Sequence, residues 1–219
     1  MKNIGLYENV ERGSAGFPIQ YYYVNKEHIS YEMPAHWHRE FEILRVKRGS
    51  MHLYLNGVDY SLERGDIALI GGGVVHSGKP DNCVYECVVF DLNMLCRSGA
   101  DALFAYILPL INGAIPVNCL LKADNGIVYI TACSIIDSLS RKSEYYEFSV
   151  YANLYRFFGL LLENGFFETE RQSKRNEHQS EIMTTLLNWI EKHYQEHISL
   201  TKMASLCGMN EKYLCRLFK

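Results

Sequence analysis

A change of period is the feature that most constrains this chain. From Tyr21 to about Asp91, short β-branched and aromatic runs alternate polar with apolar residues and are punctuated by glycine or Asn-Gly. After about residue 100 the apolar positions recur every 3.6 residues instead. A strand buries one face through alternation and a helix buries one stripe, so a sheet domain comes first and helices follow. The clearest hairpin is Met51–Leu55, Asn56-Gly57 and Val58–Leu62, in which Asn-Gly supplies the positive φ angles of a type I′ turn. Glu63-Arg64-Gly65-Asp66 then turns the chain into Ile67–Ile70. Gly71-Gly72-Gly73 ends that strand before Val74-Val75-His76, and Val84–Phe90 makes a further one. Strands at this spacing, with no helices between them, indicate a sandwich or small barrel.

Among the helices, Asn125 is placed to cap one running to about Ser140, with Val128, Ala132, Ile135 and Leu139 on one face. A second spans Tyr146 to Glu163, with Phe148, Tyr151, Tyr155, Phe158 and Leu162 on one stripe, and stops at Asn164-Gly165. Both are apolar beyond a single stripe. Two readings fit that surface: the helices cover the sheet, or they also pack against a second copy, giving a homodimer through residues 125–164. Residues 102–121 are interrupted by Pro109, Asn112, Gly113, Pro116 and Asn118, which implies a buried helix, a turn and a strand rather than a membrane span. The polar stretch 169–180, TERQSKRNEHQS, is a linker. Beyond it Ile182, Leu186, Ile190 and Tyr194 mark one helix. Ser199 caps a short second helix that Gly208 ends, and Asn210 caps a third with Leu214, Leu217 and Phe218 inward.

With 48% hydrophobic residues in 219, the chain has the material for a packed core, and a disordered or collagen-like chain is excluded. The net charge of −3 is uneven. Arg171 to Lys219 carries eight Lys and Arg against five Glu, a net +3, which leaves −6 for the rest. Such a tilt permits a nucleic-acid partner for the tail without demanding one. Seven cysteines form no regular framework, and the N-terminus MKNIGLYENV lacks an apolar signal-peptide core, so a reducing cytoplasm is the expected compartment. Cys83 and Cys87 read as small buried hydrophobes.

Two constellations carry chemistry. In His36-Trp37-His38-Arg39-Glu40-Phe41-Glu42, an extended chain would project His36, His38 and Glu42 to one face, as ligands of one metal require, and His76 follows the glycine triplet. Three imidazoles and a carboxylate suit Fe, Mn, Ni or Zn. The same groups equally suit a metal-free pocket in which they bind a polar small molecule, with Glu40 and Trp37 at its rim. The second constellation is residues 199–219, two short helices joined by a glycine-containing turn with Ala204 at the packing point and Arg216 on the second helix, which describes a helix-turn-helix.

The first constellation resembles the paired motifs of the cupin superfamily, HxHxxxE with six residues to Gly49, then Gly65 and five residues to a segment ending in His76. Gly71 stands where that motif has Pro and Ser30 where it opens with Gly. The second strongly resembles the first helix-turn-helix of AraC-family transcription regulators over residues 182–219, and the domain order is also that family's. The resemblance implies an α+β fold, mainly β at the N-terminus. A cupin jelly-roll or barrel would occupy residues 1–95, a helical dimerisation or cover segment 96–168, a linker 169–180 and a three-helix unit 181–219. It implies a ligand-responsive, non-enzymatic DNA-binding regulator whose small polar effector, a sugar or another polar metabolite, meets His36, His38, Glu40, Glu42 and His76. Of these, His36, His38, Glu42 and His76 stand at the family's metal-ligand positions. DNA would be met by Asn210, Lys212, Cys215, Arg216 and Lys219, with Arg216 placed for a bidentate guanine contact. Family members carry two helix-turn-helix units, and this sequence reaches the end of the first at Lys219. The other readings are a metal-dependent cupin enzyme, an isomerase or dioxygenase with Glu40 as base, and a truncated dimerising sensor that does not bind DNA by itself.

Overall fold

The computed structural model describes residues 7–96, 103–117, 119–166, 182, 185–186, 189–190 and 193–217. Residues 1–55 with 59–168 form one compact unit, and residues 169–219 with 56–58 form another.

The first unit is built on a seven-stranded sheet: β1 Ile19–Val24, β2 Met33–His36, β3 Phe41–Leu55, β4 Val58–Glu63, β5 Ile67–Ile70, β6 His76–Phe90 and β7 Cys119–Leu121. The order is β1-β6-β3-β5-β7, with β2 also on β6 and β4 also on β3. Its spine is the antiparallel pair of 15-residue strands β3 and β6, in register from Phe41 opposite Phe90 to Leu55 opposite His76. The hairpin strand Met51–Leu55 is the second half of a longer strand that passes through Gly49 without a break. Register shifts between Val46 and Ser50 bend it there. Gly49 sits at φ +72°, and a β-carbon on it would fall 2.4 Å from the Asn82 carbonyl oxygen, so the bend requires glycine. The hairpin turn is as expected, with Asn56 at φ 47° and Gly57 at φ 81° between β3 and β4.

Both faces of the middle strands are buried, which their near-continuous apolar sequences reflect. Alternation divides them between two cores. Leu44, Val46, Ala68, Ile70, Tyr85 and Cys87 fill the inside of the curled sheet. Ile43, Ile67, Leu69, Val88 and Phe90 face outward and are covered by α1 Phe104–Ile111, α2 Gly126–Arg141 and α3 Tyr146–Glu163. Cys83 and Cys87 are buried thiols, and burial pushes Cys83 up to about 11.

Helix α2 buries Val128, Ala132, Ile135 and Leu139 as expected, but Asn125 does not cap it. Its side chain accepts instead from the Lys122 N–H, 2.6 Å away. In α3 the buried stripe is Val150, Leu154, Phe157, Phe158 and Leu161, one position from the expected one, and Phe148 is 82% exposed. The tyrosines decide this, because a phenol needs a polar partner: Tyr151 donates to the Gly16 carbonyl (3.0 Å) and Tyr155 to that of Leu95 (2.8 Å) at the helix flanks. In the second unit Ile182, Leu186, Ala204 and Leu214 form a small core between the helical residues 182, 185–186, 189–190 and 193, α4 Leu200–Leu206 and α5 Glu211–Leu217. Tyr194, expected on the inner stripe, is exposed just beyond the first helix. Among the described residues no helix is long and apolar enough to cross a membrane.

On the outward face of the spine, one buried charge network joins the sheet to α2. Glu86 has no exposed surface and stands directly opposite Arg45, whose Nε and Nη2 donate to Glu86 Oε2 at 2.9 and 2.7 Å. Tyr21 and Lys47 donate to Glu86 Oε1, and Arg45 Nη2 also reaches Asp137 of α2 at 2.8 Å. Removing Arg45 leaves the buried Glu86 carboxylate with only Tyr21 and the half-exposed Lys47, so Arg45→Met is expected to cost about 3 kcal/mol in chemical denaturation. The double variant Arg45→Met/Glu86→Leu should recover most of that loss. An equally large loss in the double variant would show that the pair contributes net stability beyond satisfying its own burial.

Candidate functional site

Four elements bring the histidine cluster together. His36 is the last residue of β2 and pairs across to His76, the first residue of β6. His38 lies in the connection after β2, and Glu42 is the second residue of β3, on the inner face with Leu44. The run from His36 to Glu42 is therefore not one extended strand, as the alternation argument assumed. The chain turns between the histidines and Glu42 yet returns all four groups to one place. The glycine triplet makes this possible: Gly73 N–H donates to the His38 carbonyl at 2.7 Å, and a β-carbon on Gly72 would lie 2.3 Å from the Arg39 carbonyl oxygen.

The imidazoles share one orientation. His36 Nδ1 contacts the Pro34 carbonyl (2.9 Å), His38 Nδ1 that of Glu40 (3.0 Å) and His76 Nδ1 that of Val74 (2.9 Å). A carbonyl only accepts, so each Nδ1 carries its proton and donates, leaving each Nε2 as the remaining donor or ligand atom. Ring centroids lie 4.2 Å apart for His36 and His76, 5.0 Å for His38 and His76, and 5.6 Å for His36 and His38. One ligand atom from each lies within 4.8 Å of the others. Glu42 Oε2 is 3.4 Å from Nε2 of both His38 and His76. His38, Glu42 and His76 are almost wholly buried and His36 partly so.

The electrostatics follow from that burial. For Glu42, desolvation works against the charged form, but the facing His38 and His76 outweigh it and hold the carboxyl well below the usual range. His76 is likewise opposed by desolvation and raised by Glu42. His36 is lowered by its own burial and by His76. Glu42 Oε1 and His76 Nε2 are buried without hydrogen-bond partners. Such atoms are costly unless a cation takes them, and three oriented imidazoles with one carboxylate are a fitting donor set for a divalent transition metal. The residues present can hold one.

Of the rim candidates, Trp37 turns away and packs on Tyr7, 4.6 Å between ring centroids. Glu40 stays close, its carbonyl fixing His38 and its carboxylate 3.4 Å from Arg12 Nη1. Sequence reasoning missed Arg12, Glu8 and Tyr22. Arg12 is buried beside the cluster and hydrogen bonds to Glu8, whose Oε2 lies 3.7 Å from His36 Nε2. Tyr22 of β1 faces Arg12. No spacing rule links residues 8–12 to the histidines. The short pairing of Tyr7 with Trp37 and the Glu8 N–H to Trp37 carbonyl bond bring them there.

In the helical unit Ser199 Oγ accepts from the Lys202 N–H (3.2 Å), and Gly208 at φ +63° turns the chain toward α5. Lys212 and Cys215 are exposed on α5, and Asn210 precedes it. The side chain of Arg216 and all of Lys219 lie outside the described residues. Glu211 accepts from Thr201 Oγ1 at 2.6 Å and so ties α4 to α5.

Residues 19–104 match the AraC-like ligand binding domain family. The chain is 25% identical over 235 residues to the uncharacterized HTH-type transcriptional regulator YdeC of Bacillus subtilis strain 168, covering all of this chain and 78% of that protein. Among solved structures it is similar to ToxT from Vibrio cholerae O395, with 12% identity over 94% of this chain and 74% of that one and a TM-score of 0.47. It is also similar to Bacillus subtilis oxalate decarboxylase, a protein described by its Mn(II) centres, at 22% identity over 27% of this chain and 18% of that one, with a TM-score of 0.25. The resemblance to AraC-family regulators holds.

Metal uptake needs neutral imidazoles. Since Glu42 raises His76, a proton on His76 stabilises the metal-free fold below about pH 6.5, and this contribution is lost as pH rises through the higher folded value. Calorimetry with Mn(II) or Zn(II) should therefore show affinity falling and proton release growing as pH drops from 8 to 6. His76→Ala should weaken binding by more than about 100-fold. Gly72→Ala, which leaves every donor in place, should cost about 1–3 kcal/mol of stability and also weaken the metal.

Proposed function

We propose that this AraC-like chain is a ligand-responsive transcription regulator whose barrel senses a small polar effector and whose residues 211–219 read DNA. The observation that carries the reading is one chain holding both an inward-facing polar cluster inside an AraC-like ligand binding domain and a capped helix-turn-helix. His36, His38, Glu42 and His76 would hold a divalent ion, Fe, Mn, Ni or Zn. Once bound, that ion would supply open coordination positions for a polar ligand. Glu40 orients His38 through its carbonyl and lines the rim with its carboxylate.

The spine strand offers the route outward. On β3, Glu42 faces the site while Ile43 and Arg45, one and three residues on, face the helical layer, Arg45 through Asp137. Occupancy that shifts β3 would then move α2 and α3, which is the differential contact between two states that coupling requires. Exposed Ile127, Ile130 and Phe148 support the 125–164 helices as a homodimer surface. In this organisation residues 1–95 sense, 96–168 dimerise or cover, 169–180 link and 181–219 bind DNA. On the DNA face, Arg216 would take a guanine edge and Lys212 a base or phosphate. Cys215 is exposed on the same helix as Lys212, and Asn210 and Lys219 would meet phosphates.

The donor set also favours a second reading, a metal-dependent cupin enzyme, which turnover of a sugar or carbonyl substrate by the metal-loaded chain would select. The deciding titration uses the full chain against DNA from upstream of its own gene and scrambled DNA at several salt concentrations. Sequence preference with a log-linear salt slope is expected. Lys212→Ala should weaken all sequences alike and lower the slope by about 1, whereas Arg216→Ala should cost about 1–3 kcal/mol and relax preference at one position. Equal binding to both DNAs at every salt concentration would overturn the reading.

A further inference from the structure

The mouth of the histidine cluster holds a guanidinium that no part of the proposed function uses. The Arg12 side chain is 4% exposed, and around it stand Glu8 at Nη2, Glu40 Oε1 at 3.4 Å from Nη1, and the Val10 carbonyl, also 3.4 Å from Nη1. Tyr22 of β1 faces it as well. Arg12 Nε is buried with no hydrogen-bond partner. Nε and Nη2 form the fork that binds a carboxylate through two parallel hydrogen bonds. Glu8, tethered to its own backbone, places a single oxygen on that fork, and the same Oε2 lies 3.7 Å from His36 Nε2. One carboxylate oxygen thus sits between a buried guanidinium and the partly exposed histidine of the cluster. It belongs to a partly exposed side chain on a segment held at the mouth by the Glu8 N–H to Trp37 carbonyl bond (2.9 Å) and the Tyr7–Trp37 ring contact.

From this geometry we infer that the effector is a small carboxylate, bound bidentately by Arg12 beside His36 in the place where the Glu8 carboxylate stands in for it. The exchange is one anion for another, so the charge around Arg12 and Glu40 stays balanced. A free carboxylate also satisfies Arg12 Nε, which Glu8 leaves open. Displaced Glu8 loses its side-chain tie to Arg12, so residues 7–9 are left on the Trp37 contacts alone while Arg12 stays at the site, and effector binding loosens that short stretch. The inference rests on the barrel being a ligand sensor, and it narrows the effector from a polar metabolite in general to an anion.

The test is calorimetry on the full chain with malonate and succinate against neutral xylose, both after chelator treatment and with one equivalent of Mn(II). Amide exchange of residues 7–9 is followed in parallel. A dicarboxylate is expected to bind in preference to xylose and to speed exchange in that segment. Glu8→Gln, which removes the internal competitor, should bind the carboxylate about tenfold more tightly, a change of about 1.4 kcal/mol. Arg12→Gln should lose binding, and Arg12→Lys should restore only part of it, because an ammonium cannot present the fork. Circular dichroism and thermal melts establish that each variant is folded, and the Glu8→Gln gain does not depend on a damaged protein. Preferential binding of xylose would overturn the inference while leaving the sensor reading intact. So would carboxylate binding that Arg12→Gln or Glu8→Gln does not change, or an absence of carboxylate binding with and without Mn(II). Failure of sequence-specific DNA binding, measured separately, would instead remove the regulator reading.

Discussion

The pairing of β3 with β6 is the constraint on which the rest depends. Where the two 15-residue strands are buried on both faces, over Phe41–Val46 and Cys83–Phe90, each side chain has one of two destinations, and the pleat assigns them. Glu42 goes in, to three imidazoles. Arg45, three residues on, goes out, to Glu86 directly across the ladder and to Asp137 on α2. A one-residue slip would exchange the two and bury each charge among hydrocarbon, so the charged groups reinforce the register that the apolar alternation sets. The same pairing places His76 at the start of β6 beside the end of β2, and this is how residues forty positions apart reach one site.

The site is shaped by backbone as much as by side chains. Each imidazole is aimed by a carbonyl two residues away in sequence, so the conformation of three short segments, 34–36, 38–40 and 74–76, fixes the three Nε2 positions. Gly72 and Gly73 let the last of these segments lie against the backbone of His38 and Arg39. A proline at position 71, as in the cupin motif, is not needed for this. The close contact is made by the two glycines that follow.

The parts of this arrangement that were legible in the sequence are those encoded locally. The Asn-Gly hairpin, the shift from period two to period 3.6 and the His-x-His-x-x-x-Glu spacing each reside within a dozen residues, and Ala204 and Leu214 could be placed in a small core by helical spacing alone. The illegible parts depend on tertiary partners. The Arg45–Glu86 pair spans 41 residues, and its partner Asp137 lies on another layer. Arg12 and Glu8 carry no periodic signal and matter because Tyr7 and the Glu8 N–H join their segment to Trp37. In α3 apolar residues surround the helix, so periodicity could not choose between neighbouring stripes. The choice was made by phenol groups seeking carbonyls on other segments.

One inward-facing centre gathers His36, His38, His76 and Glu42 around a position that a single cation would fill. X-ray absorption at the zinc edge, on the full chain loaded with one equivalent of Zn(II), tests this most directly. The spectrum is expected to carry the multiple-scattering signature of about three imidazoles with carboxylate oxygen in the inner shell, at nitrogen distances of about 2.0–2.1 Å, reduced by one imidazole in His38→Ala. A shell without imidazole scattering, or one unchanged by His38→Ala, would contradict that arrangement.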